Sequence, residues 1–191
     1  MKIEPTDALI VVDVQNDFCR GGALAVEAGD EVVPVINGVI PRFLYAAFTR
    51  DWHPHDHCSF SDDPQWVDKS WPRHCVQNTR GAEFHPGLQV PAKSLIISKG
   101  NQTHREAYSG FQGTPLDAEL RARHVNRIFV GGLATDYCVK TTALDGARNG
   151  FQVVLLEDAC RGVDRPAGSV AKAVAEMNQA GVTVTTTGDL S

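Results

Sequence analysis

The stretch Ala8–Val14, ALIVVDV, is apolar almost without a break. A strand buried on both faces reads this way, whereas a strand with one wet face alternates. Short apolar runs recur at Tyr45–Arg50, Ser94–Ser98, Arg127–Val130, Gln152–Glu157 and Val182–Thr185. Helical spacing separates several of them. In Asp30–Leu44 the apolar residues Val32, Val33, Ile36, Val39, Ile40 and Phe43 fall on one helical face. Pro34 suits a first turn, while Pro41 does not suit a helix interior and leaves the end of this helix open. Thr114-Pro115-Leu116-Asp117 opens a helix running to about Arg123. A further helix is predicted from about Thr135 to Asn149, stopped by Gly150, and another over Pro166–Gln179. Strands alternating with helices predict an α/β fold: a mostly parallel central sheet flanked by helices on both faces, in a Rossmann-like three-layer arrangement. A chain of 191 residues fits one such domain, spanning 1–191.

One segment breaks the alternation. Asp51–Ala92 has no clear element, and loops of about forty residues are usually functional or disordered. This one carries Trp52, Trp66 and Trp71, with His53, His55, His57, His74 and His85. Disordered segments are poor in aromatics, so an ordered site loop is expected. The net charge of −5 argues against a nucleic-acid partner. No apolar run approaches the roughly 20 residues of a membrane span, and none near Met1 is long enough for a signal-peptide core, so the expected compartment is the cytoplasm. Five cysteines, Cys19, Cys58, Cys75, Cys138 and Cys160, are an odd set, which favours free thiols over a disulfide framework.

In open parallel sheets, ligands bind beyond the carboxyl ends of the strands. Here those ends carry Asp13, then Asp51 and His53, then Lys99, then Gly131-Gly132-Leu133-Ala134-Thr135-Asp136-Tyr137-Cys138. Each residue alone has a bland explanation as a turn former or solvated charge, but their convergence on one edge does not. Cys138 fits two descriptions. It is a small buried core residue, or a thiolate favoured by the first turn of a helix and by a nearby lysine, with an aspartate to take its proton. Backbone N–H groups there would suit the oxyanion of an acyl transfer. Asp51-Trp52-His53-Pro54-His55-Asp56-His57, joined by His74, supplies oxygen and nitrogen ligands for a borderline divalent metal; the alternative is a surface loop of hydrogen-bonding histidines. Asp51 and His53, two apart on an extended chain, point the same way.

These residues sit in longer segments: VVDVQNDFCRGGALAV (Val11–Val26), TRDWHPHDHCSF (Thr49–Phe60), WPRHCVQNTRGAEFHP (Trp71–Pro86), SKG (Ser98–Gly100), YSGF (Tyr108–Phe111) and VGGLATDYCVKTTALDGARNG (Val130–Gly150). Together they resemble the nicotinamidase and pyrazinamidase branch of the isochorismatase-like cysteine hydrolases, over nearly the whole chain. DVQNDF with a distant ATDYCV marks the superfamily, and DWH with WPRHC marks the branch. The resemblance implies an isochorismatase-like fold and a metal-dependent amidohydrolase that converts nicotinamide to nicotinate and ammonia, and pyrazinamide to pyrazinoate, through a cysteine thioester, in NAD salvage. It implies a triad of Cys138, Asp13 and Lys99 and an oxyanion hole from the backbone of Ala134 and Cys138, shaped by a cis peptide at Leu133–Ala134. It implies a metal on Asp51, His53 and His74 in the loop at about 51–92, zinc ahead of Fe2+ or Mn2+, with His57 as a fourth ligand in some members. His55 has no counterpart. Phe18, Trp71 and Tyr108 match aromatic pocket walls, with core packing as their plain alternative. Cys75 matches a His-Cys pair without being a ligand; Cys58 is read as a small apolar filler, or else an adventitious ligand. Cys19 and Cys160 are read as structural or oxidation-prone thiols. Family members range from monomers to larger assemblies, which leaves a homo-oligomer open; no membrane partner is expected.

Four other readings fit less well. N-carbamoyl amide hydrolases usually lack the metal motif, and the isochorismatase vinyl-ether hydrolases lack the cysteine. A nucleotide-binding module needs a glycine-rich turn after the first strand, where this chain has DVQNDF. A metal-storage or scaffold protein would leave Cys138 inert.

Overall fold

The computed structural model describes residues 1–68 and 70–191. Among them, six parallel strands form one sheet in the order β3-β2-β1-β4-β5-β6. The strands are β1 (Asp7–Val12), β2 (Tyr45–Asp51), β3 (Leu95–Lys99), β4 (Arg127–Leu133), β5 (Gln152–Arg161) and β6 (Thr183–Thr185). The helices are α1 (Val32–Val39), α2 (Leu116–Ala122), α3 (Lys140–Arg148) and α4 (Ser169–Gln179). β1 is buried at every position, as its unbroken apolar run requires. Leu9 and Val11 face the layer that holds Val32, Val33, Ile36 and Val39 of α1, together with Trp71, Cys75 and Leu88 of the long loop. Ala8, Ile10 and Val12 face the opposite layer, with Leu116 and Leu120 of α2, Ala143 of α3 and Met177 of α4. Neighbouring residues of a strand thus serve two cores, as pleating dictates.

Five boundaries depart from the sequence expectation. The helix around Asp30–Leu44 is shorter: α1 ends at Val39, and Pro41 lies in a separate 3-10 turn, Ile40–Arg42, where its missing N–H does no harm. β4 runs on through Gly131-Gly132 to Leu133, and β5 lengthens beside it to Arg161, with a register shift between Val130 and Gly132. Those glycines lie past the predicted strand end yet belong to the strand and serve close packing: a Cβ on Gly132 would stand 2.1 Å from the Val12 carbonyl oxygen. The helix expected from Thr135 begins as a π-helical turn, Thr135–Val139, before α3. The helix expected from Pro166 starts at Ser169, because Gly168 has φ +87° and Asp164 Oδ1 accepts the N–H groups of Gly168 and Val170. No helix among the described residues is long and apolar enough to cross a membrane, and no disulfide forms among them.

The long segment after β2 holds a 3-10 turn, Arg80–Ala82, and isolated bridges, two of which pair His53 with Val76 and Phe60 with Trp71. It is tied to the carboxyl edge of the sheet by the residues that follow β1. Asn16 Nδ2 donates to the Arg80 carbonyl, and Asp17 Oδ2 accepts the Cys75 N–H at 2.7 Å. Gly132→Ala should destabilise the fold by about 3 kcal/mol, because its φ of +128° and the Val12 backbone both oppose a Cβ; a lower urea midpoint at unchanged m-value is the expected readout.

Candidate active site

Three strand ends and one turn meet around the Lys99 ammonium. Asp13 follows β1 with φ +49°, and its N–H donates to the Thr49 carbonyl. Its Oδ1 accepts the Thr49 hydroxyl at 2.6 Å, and its Oδ2 lies 2.8 Å from Lys99 Nζ. Lys99, the last residue of β3, stands in register with Asp51, the last of β2. Its Nζ donates to Asp51 Oδ1 at 2.5 Å and to the Ala107 carbonyl at 3.2 Å. The same ammonium lies 3.3 Å from Cys138 Sγ. Asp13, Asp51 and Cys138 each present an atom within 4.8 Å of the other two. The structure therefore brings Asp13, Lys99 and Cys138 together from positions far apart in the chain.

Burial governs the charges here. It would lower the Lys99 ammonium, but Asp13 and Asp51 outweigh it and raise this group well above its ordinary range. Burial raises the Asp13 carboxyl, against the opposing pull of Lys99. Asp51 also suffers burial, yet Lys99 and His53 hold it well below the usual carboxylate range. The Cys138 thiol goes up: burial outweighs the nearby lysine. A sulfur so placed needs a base to become a nucleophile, and the Asp13 carboxylate is within reach of it.

The turn that carries Cys138 is wound wider than an α-helix. The Ala134 carbonyl accepts N–H bonds from Tyr137 and Val139, both at 3.1 Å, and passes over the Cys138 N–H between them. The Leu133–Ala134 peptide is cis. The amides of Ala134 and Cys138 thus belong to a short, irregular stretch beside the sulfur.

Asp51 faces two ways. Its Oδ1 takes Lys99, while its Oδ2 lies 3.5 Å from His53 Nε2 and 4.0 Å from His74 Nε2. His53 Nδ1 bonds the Gly100 carbonyl at 2.9 Å, and His74 Nδ1 bonds the Pro72 carbonyl at 2.8 Å. A carbonyl partner suits a proton on Nδ1 of each ring, which would leave both Nε2 atoms, on the side of Asp51, free to ligate an ion. Backbone carbonyls behind imidazoles in this way are the usual support of histidine metal ligands. Burial and the neighbouring His53 lower His74 to about 4, which keeps it neutral as a ligand must be. The three ligand atoms lie within 4.8 Å of one another. Asp51, His53 and His74 therefore fit one borderline divalent ion with room for further ligands. His57 stands apart from this set: its ring stacks on His53 at 4.1 Å, with Nδ1 on Ser59 Oγ and Nε2 on the Arg105 carbonyl. His55 is exposed, and its carbonyl accepts from Arg73. Cys58 is exposed as well, its N–H bonded to the Thr103 carbonyl, and Cys75 is buried among Asp17, Gly81 and the core.

Cys138, Ala134, Asp51 and His74 line a cavity of about 320 Å³, its open mouth included. Phe18, Trp71 and Tyr108 line it. Trp71 Nε1–H donates to the Tyr108 hydroxyl at 3.0 Å, and that hydroxyl donates to Asp68 at 2.6 Å. Sequence reasoning missed Tyr137, whose ring meets Trp71 edge-on at 5.0 Å, and Leu24 and Val163, which complete the wall. Position beside Cys138 was the available signal for Tyr137. It also missed Gln15, fully buried, which takes the Asp51 N–H on Oε1 and donates Nε2 to the Asp51 carbonyl, each at 2.8 Å. Asp136 was another omission: it accepts the N–H groups of Val163 and Asp164 and the Ser169 hydroxyl, holding the Val163 segment over the cavity.

Residues 7–189 match the isochorismatase domain family. The chain is 41% identical to an Escherichia coli nicotinamidase over 206 aligned positions, covering 97% of each chain. Among solved structures it resembles a Pyrococcus horikoshii pyrazinamidase in complex with zinc, with a TM-score of 0.87 and 45% identity over 95% of this chain and 99% of that one. It also resembles PnC1 of L. infantum in complex with nicotinate, with a TM-score of 0.91 and 37% identity over 100% and 98% of the two chains.

Two substitutions test this geometry. A Cβ on Gly100 (φ +60°) would stand 2.5 Å from His53 Cε1, so Gly100→Ala should displace that ring and weaken zinc binding roughly 10–100-fold, read by competition with a chromophoric chelator. Lys99→Met should leave Asp13 and Asp51 buried without their ammonium and lower stability by about 3–5 kcal/mol in denaturant titration.

Proposed function

Because the chain belongs to the isochorismatase family, we propose that its cavity takes nicotinamide and hydrolyses it to nicotinate and ammonia, with pyrazinamide as a second substrate. The observation that carries this reading is the pairing, across one aromatic cavity, of a cysteine held by lysine and aspartate with an Asp-His-His cluster. One end offers a nucleophile for an amide carbon, and the other offers ligands for a metal.

Cys138 Sγ attacks the carboxamide carbon as its proton passes to Asp13, whose carboxylate lies within reach of the sulfur. The carbonyl oxygen becomes an oxyanion beside the N–H groups of Ala134 and Cys138. Collapse expels ammonia, which takes the proton from Asp13, and leaves a thioester on Cys138. Water then adds to the thioester, giving its proton to Asp13, and the acid departs as the thiol regains that proton. Lys99 stays charged throughout and keeps Asp13 and the sulfur in place. When bound, a divalent ion on Asp51, His53 and His74 would supply a Lewis-acidic contact for the ring nitrogen. Phe18, Trp71 and Tyr108 flank the ring and exclude water. Zinc, iron and manganese all suit this donor set, with zinc favoured by the zinc complex of the Pyrococcus relative. With this reaction the protein would serve NAD salvage, and the cytoplasm is the compartment proposed for it.

The test is ammonia release from nicotinamide. Wild-type protein should turn over, Cys138→Ala should not while keeping its metal, and a chelated sample should lose activity that added zinc restores. Asp13→Asn should lower kcat by about 10²–10⁴-fold. Release that survives Cys138→Ala would overturn the nucleophile assignment.

A further inference from the structure

A second group of metal-ligating side chains lies outside the cavity. Cys19, Asp30 and His85 present ligand atoms that all lie within 4.8 Å of one another. They come from three separate segments: the turn after β1, the 3-10 turn that leads into α1, and the end of the long loop. None of them lines the substrate cavity. Cys19 is buried, while Asp30 and His85 are partly open to a solvent cleft shared with Arg20 and Arg80. The mechanism above uses none of the three.

We propose that Cys19, Asp30 and His85 form a second divalent-metal site, independent of Asp51, His53 and His74, that takes a borderline ion such as zinc. One thiolate, one imidazole and one carboxylate are a donor set that zinc and cobalt accept, and hard ions such as magnesium do not. His85 Nε2 lies 3.4 Å from Asp30 Oδ1, so the two ligand atoms already face each other. Asp30 is oriented by the Arg20 N–H on its other oxygen, at 3.1 Å. The open cleft leaves a fourth position for water. Two proton movements accompany binding. Cys19 gives its proton to solvent, and the His85 ring proton moves from Nε2 to Nδ1. The second movement gives up the bond that Nδ1 now accepts from the Gly87 N–H at 3.1 Å; Gly87 is exposed, so water replaces it. The ion would join the turn that follows β1 to the approach to α1 and to the long loop. It would act as a staple rather than a reactant.

The experiment adds Co2+ to purified protein that keeps its resident metal. The expected result is one further equivalent bound, a thiolate-to-cobalt charge-transfer absorption, and a higher melting temperature. Cys19→Ser and His85→Ala, each shown folded by circular dichroism, should remove that absorption and weaken the added equivalent by more than roughly 10-fold, with ammonia release from nicotinamide unchanged. His74→Ala should keep it. No further equivalent, or an absorption that survives Cys19→Ser, overturns the proposal. Neither outcome depends on whether nicotinamide is the substrate.

Discussion

One buried ammonium holds the site together. Lys99 Nζ sits among Asp13, Asp51, the Ala107 carbonyl and the Cys138 sulfur, with almost no access to water. Desolvating such a charge costs several kcal/mol, and only close, well-oriented carboxylates offset it. Here two carboxylates share one ammonium. The formal excess of one negative charge falls on the side of Asp51 that faces His53 and His74, where a divalent cation would balance it. Asp51 thus belongs to both halves of the site, and what holds the sulfur is continuous with what would hold the ion.

The run DVQNDF shows how much of this arrangement rests on neighbours of the reacting groups. Asp13 faces Lys99; Gln15 clamps the backbone of Asp51; Asn16 and Asp17 tie down the long loop; Phe18 lines the cavity. Only the first and last of these roles were legible in the sequence. A buried glutamine bonded to main-chain atoms leaves no periodicity and no ligand spacing behind it, because its partners are backbone groups present at every position.

The fold was readable for a similar reason in reverse. Unbroken apolar runs such as Ala8–Val12 and helical stripes such as Val32, Val33, Ile36 and Val39 record burial directly. What escaped were features set by tertiary contact. Gly131-Gly132 fell outside the predicted strand, but they extend it where backbone and Ala159 approach too closely for side chains. Cys138 was expected in the first turn of an ordinary helix, as a buried core residue or as a stabilised thiolate. The π-helical turn follows from how the Ala134 carbonyl collects N–H groups, and the raised thiol follows from complete burial. Neither quantity is a local property of ATDYC. The aspartate, histidine and lysine at the strand ends were legible because strand ends on one sheet edge must converge, whatever the loops do.

The pairing of Asp51 with Lys99 also bears on how the sheet is assembled. β3 is an edge strand, separated from β2 by more than forty residues of irregular chain, so no tight turn sets its alignment. A slip of one residue would carry Lys99 to the opposite face and leave two carboxylates buried side by side without a counter-ion. The charge cluster is therefore a register lock, and misaligned pairings of this edge carry an electrostatic cost on top of any cost in packing.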